Sequence, residues 1–125
     1  MDKDKSEIKM LVCDDSILAR KSMTAMLNSF GYEHISEVSN GEDAVNKYKE
    51  IRPDIVFLDI VMPVKDGITA TREIIEFDSD ARIIVISSVG TQTHLREVIK
   101  AGARDFIQKP VDQELLKQVL DHNLV

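Results

Sequence analysis

Residues 54–68 read DIVFLDIVMPVKDGI, and the first six of them decide the fold. Ile55, Val56, Phe57 and Leu58 are apolar on consecutive positions, and the run stops at Asp59. A strand with one wet face alternates apolar and polar residues. An unbroken apolar run of this length suits a strand covered on both faces, as in a parallel sheet sandwiched between helices. The residues after Asp59 agree. Pro63, Asp66 and Gly67 are turn residues, and Asp66 is a ready helix N-cap. Ile68, Thr71, Ile74 and Ile75 then recur at helical spacing.

Outward from this unit the same pattern repeats. Apolar runs lie at 8–13 and 83–86, a weaker one at 33–38 fits an edge strand, and a short one at 105–108 is centred on Phe106 and Ile107. Helical stripes lie between them. Ala19, Met23, Met26, Leu27 and Phe30 share one face and end at Gly31. Ala44, Val45, Tyr48 and Ile51 follow Asn40 and stop before Pro53. Leu95, Val98 and Ile99 end at Gly102, and Leu115, Leu116, Val119 and Leu120 follow Asp112. Strand and helix alternate five times with short connections. The expected fold is therefore α/β: a (βα)5 flavodoxin-like doubly wound sandwich, its five parallel strands in order 2-1-3-4-5 with helices on both faces. The ligand crevice of such a sheet lies at the carboxyl ends of its strands. A length of 125 residues fits one domain spanning 1–125. The polar first seven residues, 1–7, read as a frayed lead-in.

Composition narrows the function. The chain is 43% hydrophobic and 30% charged, with 16 basic against 22 acidic residues and a net charge of −6. That balance argues against electrostatic binding to nucleic acid or to an anionic membrane. No apolar run approaches the ~20 residues that cross a bilayer. The N-terminus carries no apolar signal core, so the cytoplasm is the expected location. A lone Cys13 forms no internal disulfide, and neither GxxxxGK[ST] nor GxGxxG occurs.

The residues at the strand ends carry the chemistry. They are Asp14 and Asp15 after the first run, Asp59 after the third, Ser87 and Ser88 after the fourth, and Lys109 with Pro110 after the fifth. Each alone is bland: Asp14, Asp15 and Ser16 could cap a helix, and Lys109 could be a solvated lysine. Their convergence on one sheet edge is not. Carboxylates crowded together repel unless a cation offsets them. Mg2+ suits such oxygen ligands and shares its remaining positions with phosphate. Lys109 adds a point charge for a phosphoryl oxygen and a serine hydroxyl adds a hydrogen bond. With no nucleotide loop, the phosphoryl group arrives on another protein or a small donor, and one carboxylate becomes an acyl phosphate.

The chain resembles the response-regulator receiver domains of two-component signalling through CDDS at 13–16, DIVFLDIVMPVKDGI at 54–68, VISS at 85–88 and AGARDFIQKP at 101–110. The resemblance implies roles by position. Asp59 is the phosphoacceptor. Asp15, Asp59 and the backbone carbonyl of Val61 ligate Mg2+, with Asp14 acting largely through water. Lys109 pairs with the phosphoryl group, Ser87 hydrogen-bonds it, and Phe106 takes the aromatic switch position. The Lys109–Pro110 peptide is cis. The donor is a histidine kinase, and a target protein docks on the face built by residues 91–101, 105–108 and 112–123, the fourth helix, fifth strand and fifth helix. A stand-alone chemotaxis-type switch is the first expectation. A phosphorelay carrier and a receiver from a longer regulator are the alternatives. An Mg2+-dependent phosphohydrolase of the haloacid-dehalogenase type ranks below these, because DxDx[TV] is absent after the first strand.

Ser87 stands where threonine is commoner, Ser88 where alanine is usual, and Phe106 lacks a tyrosine hydroxyl. Val61 and Val89 hold the positions that tune dephosphorylation, and neither can orient an attacking water by a hydrogen bond. Slow self-hydrolysis is expected. Asn or Glu placed at Val61 or Val89 should shorten the lifetime of the phosphoryl group, measured by its decay after donor removal; an unchanged or longer lifetime would refute this.

Overall fold

The computed structural model describes residues 4–88 and 92–124. Five strands, β1 (Lys9–Cys13), β2 (His34–Val38), β3 (Ile55–Asp59), β4 (Ile83–Ser87) and β5 (Asp105–Gln108), alternate with five helices. These are α1 (Ile17–Ser29), α2 (Gly41–Ile51), α3 (Gly67–Phe77), α4 (Gln92–Ala101) and α5 (Gln113–Asn123). All neighbouring strands pair in parallel, in the order β2-β1-β3-β4-β5. This is the expected doubly wound sheet.

The consecutive apolar runs are explained by where alternate side chains go. Leu11, Cys13, Val56, Leu58, Ile83 and Val85 point to one face, where Ala44, Tyr48, Ala70, Ile74 and Val98 cover them. Met10, Val12, Ile55, Phe57, Ile84 and Ile86 point to the other, against Met23, Leu27, Leu116 and Leu120. β3 and β4 are buried at every position, whereas β2, with a single strand neighbour, is only partly covered. Side-chain period two on a two-sided sheet leaves no position in a central strand for a polar residue until the strand ends.

Local chemistry sets the helix limits. Ser16, Asn40, Asp66 and Asp112 each accept a hydrogen bond from the backbone N–H three residues on. Such caps are worth about 1 kcal/mol each. α1 and α4 end on glycines in the left-handed region, Gly31 at φ 102° and Gly102 at φ 113°. The next N–H in each case returns to the last turn, from Tyr32 to Leu27 O and from Ala103 to Val98 O. Lys5–Glu7 form a 3-10 turn, and the Lys5 ammonium donates to Phe30 O at 2.8 Å while lying 5.4 Å from the Tyr32 ring centre. A long cationic side chain finds both an orphan helix-end carbonyl and an aromatic face there.

The segment joining β3 to α3 folds back tightly. Gly67 N–H donates to Ile60 O at 2.7 Å, and a Cβ on Gly67 would stand 2.0 Å from the backbone oxygen of Asp59. Lys65 N–H donates to Pro63 O at 2.7 Å, which puts Val64 at φ 68° with its side chain 83% exposed. A β-branched residue is strained at positive φ. The Lys65 ammonium anchors this segment to Glu42 on α2 at 2.8 Å and to Glu73 on α3 at 2.7 Å. Two stability changes of opposite sign are expected in denaturant unfolding. Val64→Asn, which tolerates the left-handed region, should add about 1 kcal/mol. Gly67→Ala should remove about 1–3 kcal/mol through forced displacement of the backbone at Asp59.

Candidate functional site

The strand ends deliver the expected residues to one edge of the sheet. Asp59 is the last residue of β3 and Ser87 the last of β4; their strand partners are Ile86 and Gln108. Lys109 follows β5 directly, with its N–H donating to Ser87 O at 2.9 Å and a cis peptide to Pro110. Asp14 follows β1, and its N–H donates to Val38 O at the end of β2 at 3.2 Å. Five segments of chain therefore meet within a few residues of the sheet's carboxyl edge.

Asp14, Asp15 and Asp59 each offer a carboxylate oxygen within 4.8 Å of the others. Asp14 and Asp59 are buried, both 6% exposed, while Asp15 faces solvent. The Lys109 ammonium bridges the buried pair, at 2.7 Å from Asp14 Oδ2 and 3.0 Å from Asp59 Oδ2. Asp14 Oδ1 accepts from Ser16 N–H at 2.9 Å, and Asp59 Oδ1 from Val61 N–H at 3.3 Å. The helix-capping reading thus holds for Ser16 alone. Its hydroxyl serves Ala19 N–H, and both aspartates are left to the cluster.

The electrostatics follow from burial. Burial pushes the Asp59 carboxyl above its ordinary value; the hydrogen bond and charge of Lys109 offset part of the rise, and the Asp14 charge adds to it. Burial works against the Lys109 ammonium, yet its hydrogen bonds to Asp14 and Asp59 prevail and hold its pKa above the ordinary range. Burial, then the Asp14 charge, push the Cys13 thiol well up, so it packs as a small apolar group. One ammonium among three carboxylates leaves two negative charges uncompensated within 4.8 Å. A set of hard oxygen donors carrying that excess, with one member open to solvent, fits a divalent cation such as Mg2+.

Ser87 is fully buried, and Phe106 is half-buried against the α4 side of the sheet. Val61, 60% exposed, flanks Asp59 on the solvent side. Val89, Thr91 and the rest of 89–91 lie outside the described residues. A cavity of about 490 Å³ opens beside Asp59 and Lys109, between α1 and the segment after β5, with Met23, Met26, Phe57 and Ile86 in its apolar wall.

One contact at the site belongs to no motif. Arg20 on α1 donates from Nη1 to the backbone carbonyl of Asp14 at 2.8 Å and from Nε to Glu37 Oε1 on β2 at 3.3 Å. Its signal is visible only once β2 is known to lie beside β1.

Known proteins share this sequence pattern and fold. The family profile described as the response regulator receiver domain matches residues 10–121. The chemotaxis protein CheY of Thermotoga maritima is 43% identical over 113 residues, covering 90% of this chain and 94% of that protein. CheY of Bacillus subtilis is 41% identical over 116 residues, covering 93% and 97%. Among solved structures, a chain of the CheX–CheY–BeF3–Mg2+ complex from Borrelia burgdorferi superposes with a TM-score of 0.90 at 39% identity, covering 94% of this chain and 90% of that one. The receiver domain of the sensor histidine kinase PA1611 from Pseudomonas aeruginosa, described with a magnesium ion in its active-site cleft, superposes with a TM-score of 0.86 at 28% identity, covering 94% and 97%. Matched over most of its length in sequence and in fold, this chain belongs to the response regulator receiver domain family and is of the CheY type.

Proposed function

We propose that the chain is a phosphorylation-dependent signalling switch that takes a phosphoryl group on Asp59 from a histidine kinase in the cytoplasm. The observation that carries this reading is the buried Asp59 carboxylate, held 3.0 Å from the Lys109 ammonium and within 4.8 Å of two further carboxylates. The polar groups gather at Asp59, whereas the wall of the adjoining cavity is mainly apolar, with Met23, Met26, Phe57 and Ile86, a poor match for the polar remainder of a nucleotide or sugar phosphate.

Asp59, Asp15 and the Val61 carbonyl would hold Mg2+ directly and Asp14 through water. When bound, the ion neutralises the phosphoryl oxygens and the carboxylates around them. The protein's own groups do the rest. An Asp59 carboxylate oxygen attacks phosphorus and forms the new P–O bond. The bond from phosphorus to the kinase's histidine nitrogen breaks, and its electron pair stays on that nitrogen; with a proton on the ring's other nitrogen, the imidazole leaves neutral. Poor hydration leaves the Asp59 oxygen less stabilised as an anion, which favours attack. Lys109 exchanges a carboxylate oxygen for a phosphoryl oxygen, and the Ser87 hydroxyl donates to another.

The output follows from which elements hold those groups. Ser87 ends β4 and Lys109 follows β5, so drawing them toward Asp59 shifts α4, β5 and α5, with Phe106 filling the space that Ser87 leaves. Receiver domains of the CheY type are signalling switches, and the Borrelia structure holds one of them in complex with the protein CheX. The α4-β5-α5 face is the proposed docking surface here, with Leu95, Ile99 and Leu115 exposed on it. Chemotaxis is the proposed pathway, from the CheY relatives. The modification selects between pre-existing forms, and its leverage is the difference in its interactions with the two.

Incubation with a small acyl phosphate donor and Mg2+ should label the wild type at one equivalent and leave Asp59→Asn unlabelled, read by intact mass. A chelator should abolish the wild-type labelling. Full labelling of Asp59→Asn would move the acceptor elsewhere.

A further inference from the structure

Asp14 is held at four points. Its N–H donates to Val38 O, its carbonyl accepts from Arg20 Nη1, Oδ1 accepts from Ser16 N–H and Oδ2 from Lys109 Nζ. Two of these reach toward β2. That strand is an edge strand with β1 as its single hydrogen-bonded neighbour, so its carboxyl end is held by the sheet on one side only. Arg20 ties that end down. It sits in the first turn of α1, where its N–H donates to Ser16 O at 3.0 Å, and its guanidinium spans the Asp14 carbonyl and the Glu37 carboxylate. The Arg20 and Glu37 side chains are only 15% and 20% exposed. Lys21, the next residue, donates to the other Glu37 oxygen at 3.0 Å. Hydrogen bonding to Lys21, and to a smaller extent to Arg20, holds the Glu37 carboxyl below its ordinary range, so the anchor is charged at neutral pH.

We propose that Arg20 is a positioning residue of the acidic site: clamped by Glu37, it fixes the backbone of Asp14, and through it the spacing of the three carboxylates, so that the site is preorganised for a divalent cation. The inference rests on the reading of that site as the Mg2+ centre. A planar guanidinium presents two donors in fixed directions, and here one serves a carbonyl and the other a carboxylate. A lysine carries the same charge on a single nitrogen and lacks the fixed geometry of two separate donor nitrogens. Groups that hold metal ligands in place without touching the metal commonly change its affinity by about 10–100-fold when removed.

Electrostatics and positioning predict opposite signs. By Coulomb's law alone, removing a positive charge near a cation site tightens cation binding. If Arg20 acts by position, removing it loosens binding. The test is calorimetric titration of the unphosphorylated full chain with Mg2+, for wild type, Arg20→Met and Arg20→Lys, with thermal unfolding of each recorded without metal. Arg20→Met should bind Mg2+ about 10-fold more weakly. Arg20→Lys, which keeps the charge and preserves the fold should Arg20→Met not do so, should be weakened in the same direction. Binding by Arg20→Lys equal to wild type, or by a folded Arg20→Met equal to or tighter than wild type, overturns the assignment to Arg20. A wild type that takes up no Mg2+ overturns the reading of the site itself, and the assignment falls with it.

Discussion

Two carboxylates buried side by side, with a third at the solvent, are the constraint on which this structure turns. Each is costly to take out of water, and together they repel. The fold supplies part of the compensation: Lys109 from a distant segment, N–H donors from Ser16 and Val61, and a main chain at Asp14 pinned to its neighbours. That compensation is incomplete. What is left over is an excess of negative charge of the kind that a small divalent cation offsets.

The topology makes this crowding achievable. Parallel strands all end on the same side, so residues as far apart as Asp14 and Lys109 become neighbours once five strands are laid in order. The same geometry joins the strand ends: the Lys109 N–H is bonded to the Ser87 carbonyl, so the segments that bear the hydroxyl and the ammonium are linked by backbone.

Much of this was legible in residues alone. Consecutive apolar runs announced covered strands, and Asn40, Asp66, Asp112, Gly31 and Gly102 marked helix ends with the hydrogen bonds or positive φ that such residues favour. The cluster was legible because its members sit at strand ends, where pattern and position coincide. What escaped depends on packing between segments. Arg20 looks like any surface arginine of an amphipathic helix until Glu37 and the Asp14 carbonyl are placed beside it. The strain at Val64 is a property of the backbone path, dictated by the return of the chain over Asp59 and not by the valine. The docked turn at residues 4–7 depends on a carbonyl of Phe30 that a polar N-terminus does not advertise.

The sheet is also a partition. Its two faces feed separate apolar clusters, one shared by α2, α3 and α4, the other by α1 and α5. Each core position in a strand belongs to one compartment only, so a volume change is met first by the helices of that compartment. A substitution inside α1 or α5 is therefore felt by the same apolar cluster, and one inside α4 by the other.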